Sequence, residues 1–284
     1  MRAKLRERLD GEEFLVLPGA ANALGARIIE DVGFDAAYVT GAGVANTFLG
    51  APDLALLSLT QMADHVAAMS AAVSIPLVVD ADTGYGNAVN VRHTVRTLER
   101  AGASAIQLED QTFPKRCGHF DGKDVIESHE MTQKIRAAVD AREDPDLLLI
   151  ARTDARAVHG IEEACRRANL YRDAGADVLF VEAPLDEREI EYVARHVEGR
   201  KMINYVEGGS TPELPHERLA ELGFSVALYA NLALLAGVGA MQRVLAELLK
   251  TGATTESGAQ NASWDERQRL VRTPEYMALS ERYA

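Results

Sequence analysis

The sequence predicts an α/β protein, a (β/α)8 TIM barrel followed by a C-terminal helical extension. Three observations predict it. Short apolar runs recur along the chain, each followed by a turn and a longer segment with helical spacing, which is the alternation of a parallel sheet. There are eight such units in 284 residues, and barrels of this kind typically take about 250. Four of the helical segments leave by the same exit: Val32-Gly33-Phe34-Asp35, Ala101-Gly102-Ala103-Ser104, Ala174-Gly175-Ala176-Asp177 and Leu222-Gly223-Phe224. A glycine just past a helix end takes the left-handed cap conformation at little cost. The competing arrangement is a doubly wound open sheet, but no G-x-G-x-x-G follows a strand to support it.

The first strand is expected near Phe14–Leu17. The second, Ala36–Val39, runs into Thr40-Gly41-Ala42-Gly43, and the third, Pro76–Val79, into Asp80-Ala81-Asp82-Thr83-Gly84-Tyr85-Gly86. The fourth, Ala105–Leu108, ends in Glu109-Asp110-Gln111; the fifth, Leu147–Ala151, in Arg152-Thr153-Asp154. The sixth, Val178–Val181, ends at Glu182; the seventh, Lys201–Tyr205, carries Asn204 with Glu207 beyond; the eighth is Ser225–Tyr229. The last barrel helix is expected near Leu232–Leu248. Residues 1–250 thus form the catalytic barrel, and 251–284 a polar linker and a helical tail, packed on its own barrel or on a partner.

Barrel chemistry lies on loops at the C-terminal ends of strands, and the polar residues above all fall there. One acidic strand end is unremarkable, so Asp110 or Asp154 alone is read first as a helix cap or structural residue. Asp80, Asp82 and Glu109 together repel unless a cation or shared protons compensate them. Oxygen ligands without a histidine cluster favour a hard cation, and Mg2+ keeps several waters while contacting one or two carboxylates. Arg152 offers a planar fork suited to a carboxylate. Thr40-Gly41-Ala42-Gly43 can present a hydroxyl and backbone N–H groups to the same anion, or be a plain βα turn.

Beyond the fourth strand, Lys115-Arg116-Cys117-Gly118-His119 places a thiol among cations. Such neighbours favour thiolate and lower a cysteine pKa from its free value of about 8.5. Gly118 allows a tight turn, so that Cys117 and His119 can face one small ligand. The bland alternative is a solvated basic loop, and these two residues lack the paired spacing of a zinc site.

The bulk numbers set limits. Hydrophobic residues make up 47% and charged residues 26%, an ordinary globular balance. A net charge of −13 argues against nucleic acid, whose binding needs a basic face. A small anionic carboxylate remains possible through a local cationic pocket or a metal. The charged stretch Met1–Glu13 has no signal-peptide core, and no run of about 18 apolar residues is evident, so neither secretion nor a membrane span is expected. Two cysteines in a chain expected to be cytoplasmic make a structural disulfide unpromising.

The motifs, taken together, resemble the isocitrate lyase/phosphoenolpyruvate mutase superfamily. The resemblance rests on Tyr38-Val39-Thr40-Gly41-Ala42-Gly43, Gly50-Ala51-Pro52-Asp53, Val79 to Gly86, Glu109-Asp110-Gln111, Lys115 to His119, Ile150 to Asp154, and Glu207-Gly208-Gly209. It implies an Mg2+ environment of Asp80, Asp82 and Glu109, with Asp80 the direct ligand, Asp53 beside metal and substrate, and Mn2+ as a possible substitute. It implies that Tyr38, Thr40, Gly41, Ala42, Gly118, Arg152 and Asn204 bind the 2-oxo acid half of the substrate. Cys117, Lys115, Arg116, His119 and Glu182 are then the catalytic set. It further implies a homotetramer with exchanged last barrel helices and a mobile loop around Cys117.

The Cys-containing loop resembles that of the carbon–carbon lyases acting on 2-methylisocitrate, 2,3-dimethylmalate and 2-alkylmalates. Phe120-Asp121-Gly122-Lys123 stands where methylisocitrate lyases commonly have Arg-Pro-Asn-Lys, which removes a partner for a third carboxylate. Together with Val206-Glu207-Gly208-Gly209, this favours a dicarboxylic 2-alkylmalate or 2,3-dimethylmalate over 2-methylisocitrate. Ala230, where many relatives have Pro, is a further departure. Oxaloacetate hydrolysis or decarboxylation, or phosphonopyruvate chemistry, is the alternative on the same scaffold.

Overall fold

In the computed structural model, which describes residues 1–11, 13–115, 122–254 and 261–284, eight parallel strands close into a barrel in chain order. They are β1 (Leu15–Ala20), β2 (Ala37–Val39), β3 (Leu77–Asp80), β4 (Ala105–Glu109), β5 (Leu148–Thr153), β6 (Val178–Val181), β7 (Lys201–Asn204) and β8 (Phe224–Tyr229). All eight expected strands are present, displaced by a few residues at their ends. Closure is made by β1 on β8, where Leu15 pairs with Val226 and Pro18 with Tyr229.

The two-residue period of the strands sorts their side chains. Leu15, Leu17, Val78, Leu148, Ile150, Phe180 and Met202 fill the barrel interior, whereas Val39, Val79, Ile106, Leu149 and Leu179 pack outward against the helices. Both faces are therefore apolar, as a parallel sheet covered on both sides requires.

The charged N-terminus is helix α1 (Arg2–Asp10), whose Leu5 and Leu9 enter the interior cluster and close the barrel bottom. Its polar face is held from outside by Arg2, which donates to Ala103 O at 2.9 Å and to Asp144 at 3.0 Å. The helices that follow are α2 (Ala23–Val32), α3 (Gly41–Val44) with a π turn at Ala45–Leu49, α4 (Leu59–Ala72), α5 (Ala88–Ala101) and α6 (Ser128–Ala141). Next come α7 (Ala155–His159), α8 (Ile161–Asp173), α9 (Glu187–His196), α10 (His216–Glu221) and α11 (Leu232–Thr251). Gly33, Gly102, Gly175 and Gly223, the four expected exits, all have positive φ, between 78° and 109°. Gly19 is required for a different reason: a Cβ there would sit 1.9 Å from the Ala230 carbonyl oxygen, where β1 and β8 meet at the mouth.

Helix α11 corrects one expectation. It is 20 residues long with a mean hydropathy of 1.6 in its most apolar window, long and apolar enough by composition to cross a membrane, and none of its residues is buried. The sequence conceals this because Gln242, Arg243 and Glu247 interrupt the apolar run. By its place in the order of elements it is the eighth barrel helix.

The tail forms α12 (Trp264–Leu270) and α13 (Thr273–Arg282). Arg269 makes a forked pair with Asp31 of α2, both contacts at 2.6 Å, so α12 is attached to its own barrel. Trp264, Tyr276, Met277 and Tyr283 stay exposed. Of the expected linker, Thr251 ends α11, and residues 255–260 lie outside the described residues.

Candidate active site

The C-terminal ends of the strands surround a cavity of about 40 Å³. Tyr38, Thr40, Ala42, Asp53, Asp80, Lys115, Arg152, Glu182 and Asn204 line it. Val206, Leu228, Ala230 and Asn231 complete it. Four of the expected residues, Asp80, Glu109, Arg152 and Asn204, are the final or near-final residues of β3, β4, β5 and β7, which is why they converge. Gly41 stands against the carboxylates, since a Cβ on it would lie 3.0 Å from Asp80 Oδ2 and 3.5 Å from Asp82 Oδ1.

The loop after β3 is fastened at nearly every peptide. Asp82 N donates to Asp80 Oδ1 at 3.1 Å, and Glu109 N to Asp82 O at 2.9 Å. Lys134 Nζ donates to Thr83 O at 3.1 Å and Thr94 Oγ1 to Gly84 O at 3.0 Å. These bonds hold Asp82 and Tyr85 in left-handed conformations, φ 49° and 58°, that L-residues rarely adopt. They also turn the Asp82 carboxylate toward the cavity's cations.

Lys115 is the central cation. Its Nζ lies 2.5 Å from Asp53 Oδ1 and 2.8 Å from Asp82 Oδ1, and its side chain is 3% exposed. Burial alone would lower its pKa, but Asp82, Glu109, Asp80 and Asp53 outweigh burial and hold it well above the ordinary lysine range. Lys115 therefore neutralises carboxylates instead of standing free for an anion. Burial pushes Asp82 up to about 6 against the pull of Lys115. It raises Glu109 well above the usual carboxylate range, opposed by Arg152 and Lys115.

Arg152 meets three carboxylates. Nε and Nη2 form a parallel pair with Asp154 at 2.9 and 3.0 Å, while Glu109 and Glu182 lie 3.4 and 3.5 Å from Nε. Asp154 is at the start of α7 yet makes no side-chain cap bond there, and Asp110 starts no helix. Of the two expected roles, helix cap or structural residue, the second holds: both aspartates belong to a buried polar network. Thr40 does cap a helix, accepting from Gly43 N at 3.2 Å, so part of the Thr40–Gly43 segment is occupied by its own turn.

Among the described residues no three His, Cys, Asp or Glu side chains converge as ligands of one metal ion. Asp80, Asp82 and Glu109 therefore gather around one region without forming a direct three-carboxylate set. Glu109 Oε1 and Asn204 Oδ1 are buried there without a hydrogen-bond partner among those residues. Such orphans, with a surplus of carboxylates, fit a hydrated hard cation held by one or two protein oxygens. Arg116, Cys117, Gly118 and His119 lie outside the described residues. Sequence reading missed Leu228, Asn231 and Val206 as lining residues: they stand at or beyond the ends of β7 and β8, but carry no charge to announce them.

A family model described as phosphoenolpyruvate phosphomutase matches residues 5–249. A 2,3-dimethylmalate lyase of Eubacterium barkeri is 45% identical over 239 residues, covering 84% of this chain and 83% of that one. A 2-methylisocitrate lyase of Aeropyrum pernix is 42% identical over 248 residues, covering 87% and 80%. Among solved structures, oxaloacetate acetylhydrolase with 3,3-difluorooxalacetate superposes with a TM-score of 0.93 at 32% identity, covering 99% of this chain and 96% of that one. Phosphonopyruvate hydrolase with oxalate and Mg2+ gives 0.90 at 34% identity, covering 99% and 98%.

Proposed function

The chain belongs to the phosphoenolpyruvate mutase/isocitrate lyase superfamily, and on that premise we propose that it is an Mg2+-dependent carbon–carbon lyase of 2-alkylmalates, 2,3-dimethylmalate included. The observation that carries the reading is the cavity's mixed lining: carboxylates with Lys115 and Arg152, together with the apolar Ala42, Val206, Leu228 and Ala230. The charged residues suit a 2-hydroxy acid and its metal, and the apolar ones an alkyl substituent. Lys115 and Arg152 are the cations lining the cavity among the described residues, and Lys115 is already paired, which favours a dicarboxylate over a tricarboxylate.

Asp80 would hold Mg2+ directly, with Asp82 and Glu109 through water. The bound ion supplies positive charge opposite the oxygen where negative charge develops. Arg152 holds the carboxylate of the 2-oxo acid half, and Thr40 and Asn204 orient it. The substrate hydroxyl would give its proton to a carboxylate of the cavity lining, the O–H electrons form the carbonyl, and the adjacent C–C bond breaks. The electron pair of that bond remains on the carbon of the second half, and Cys117 protonates it to give a carboxylate product. The resemblance and the apolar α11, none of whose residues is fully buried, support a homotetramer in which that helix is exchanged between neighbours.

The same pocket also suits oxaloacetate, and the oxaloacetate acetylhydrolase likeness keeps hydrolysis as the second reading. The test is a panel of 2-alkylmalates, 2-methylisocitrate, oxaloacetate and phosphonopyruvate, each with Mg2+ and with chelator. Mg2+-dependent 2-oxo acid release from the alkylmalates at the highest kcat/KM is the expected result. Preferred hydrolysis of oxaloacetate would replace this assignment.

A further inference from the structure

We propose that Asp154 is the positioning residue of the carboxylate-binding arginine: it fixes the Arg152 guanidinium for the substrate and keeps it off Glu109 and Glu182. This rests on the reading of Arg152 as the group that binds the 2-oxo acid. A guanidinium presents five donors in one rigid plane, so the edge given to one carboxylate decides where the rest point. Asp154 takes the edge formed by Nε and Nη2, at 2.9 and 3.0 Å. Nη1 donates to none of the described residues. Phe180 lies beneath, its ring centre 5.3 Å from the guanidinium carbon, and restricts tilting.

Asp154 is itself immobilised. Its carboxylate is wholly buried, and Lys123 Nζ donates to Oδ1 at 3.1 Å. Its backbone N–H donates to Asp110 Oδ1 at 2.9 Å. Asp110 accepts on its other oxygen from Thr153 at 2.7 Å, Tyr171 at 2.8 Å and Arg167 at 3.2 Å. Neither aspartate lines the cavity. The network thus ends on Arg152 and acts on substrate only through it. Without the Asp154 carboxylate, the nearest anions to Nε are Glu109 and Glu182, already at 3.4 and 3.5 Å. Arg152 would move onto them, misplacing its fork and engaging a carboxylate meant for the metal.

The test compares Asp154→Asn, Arg152→Lys and the double variant in the full chain. Pyruvate affinity with Mg2+ is read by calorimetry, kcat and KM on the best substrate, and folding by circular dichroism. Asp154→Asn is expected to weaken pyruvate binding and raise KM on the order of 10- to 100-fold, with a smaller change in kcat. The double variant should be no worse than Arg152→Lys, because one residue acts through the other. Wild-type pyruvate affinity in Asp154→Asn, or losses that multiply in the double variant, would overturn the proposal. Should Asp154→Asn fail to fold, Asp154→Glu keeps the charge but displaces the carboxylate by one methylene; a raised KM supports the proposal and a wild-type KM overturns it. Pyruvate affinity is read without turnover, so a chain that binds pyruvate but cleaves no alkylmalate refutes the lyase assignment and not this one.

Discussion

The Lys115 ammonium lies 2.8 Å from Asp82 Oδ1, inside a ring of buried carboxylates. It serves as an internal counter-ion, and its removal should make the protein lean on an external one. Breaking a buried ion pair costs about 3–5 kcal/mol. Lys115→Met should therefore lower the midpoint of thermal unfolding in chelator, and Mg2+ should raise that midpoint more than it does in the wild type. Equal Mg2+ shifts in the two proteins would show that ammonium and metal do not share these carboxylates.

Glu163 pairs with Arg166 at 2.6 Å and Arg167 at 2.9 Å, and through Arg167 it supports Asp110. The hydrogen bond from Arg166 holds its pKa down to about 2 from an ordinary 4.5, with burial opposing. A depressed folded-state pKa contributes stability that is present above the unfolded value and lost as pH falls toward the folded one. The pair is partly solvated, so a contribution of about 1 kcal/mol is appropriate. In urea titrations, Glu163→Gln should be less stable than wild type at pH 7, and the gap should close as pH falls below about 4.5. A gap independent of pH would place its origin elsewhere.

Leu5, 2% exposed, is part of the stopper that α1 puts in the barrel bottom. Leu5→Ala should cost about 2–5 kcal/mol of stability while leaving kcat and KM near wild type, because barrel chemistry is at the opposite face. An unchanged urea midpoint would mean that α1 contributes little to the core.

Cys165 is buried on α8, and burial pushes its thiol up to about 12. Cys117 follows Lys115 and Arg116 and precedes His119 by two positions. Brief iodoacetamide treatment of the native protein at neutral pH should give one adduct, on Cys117, with parallel loss of activity. Peptide mapping that finds the adduct on Cys165 would contradict the assignment of Cys117 as the reactive thiol.

The strand order and the site's charged residues were legible because both obey local rules. Strand ends bearing Asp80, Glu109, Arg152 and Asn204 are consecutive with apolar runs, and a barrel brings such ends together whatever the details of packing. Three things were not legible. Met1–Glu13 reads only as a charged stretch without a signal-peptide core, because the mean charge of α1 hides Leu5 and Leu9, which matter only once a barrel bottom exists to receive them. Asp154 reads as a cap or structural residue but not as the partner of Arg152, because that pairing is chosen by side-chain geometry and not by helix position. The apolar lining of the cavity, Leu228 above all, looks like ordinary core until the register shows that Leu228 is the partner of Asn204 at the mouth.

The most direct test of the central claim is to incubate the protein with Mg2+ and 2,3-dimethylmalate in D2O and follow products by NMR. Cleavage with protonation of the carbanion carbon predicts pyruvate and propionate in equal amounts, the propionate carrying one solvent-derived deuterium at its α-carbon, and neither product in chelator. Absence of cleavage for this and every other 2-alkylmalate, with oxaloacetate converted to oxalate and acetate under the same conditions, would contradict the account.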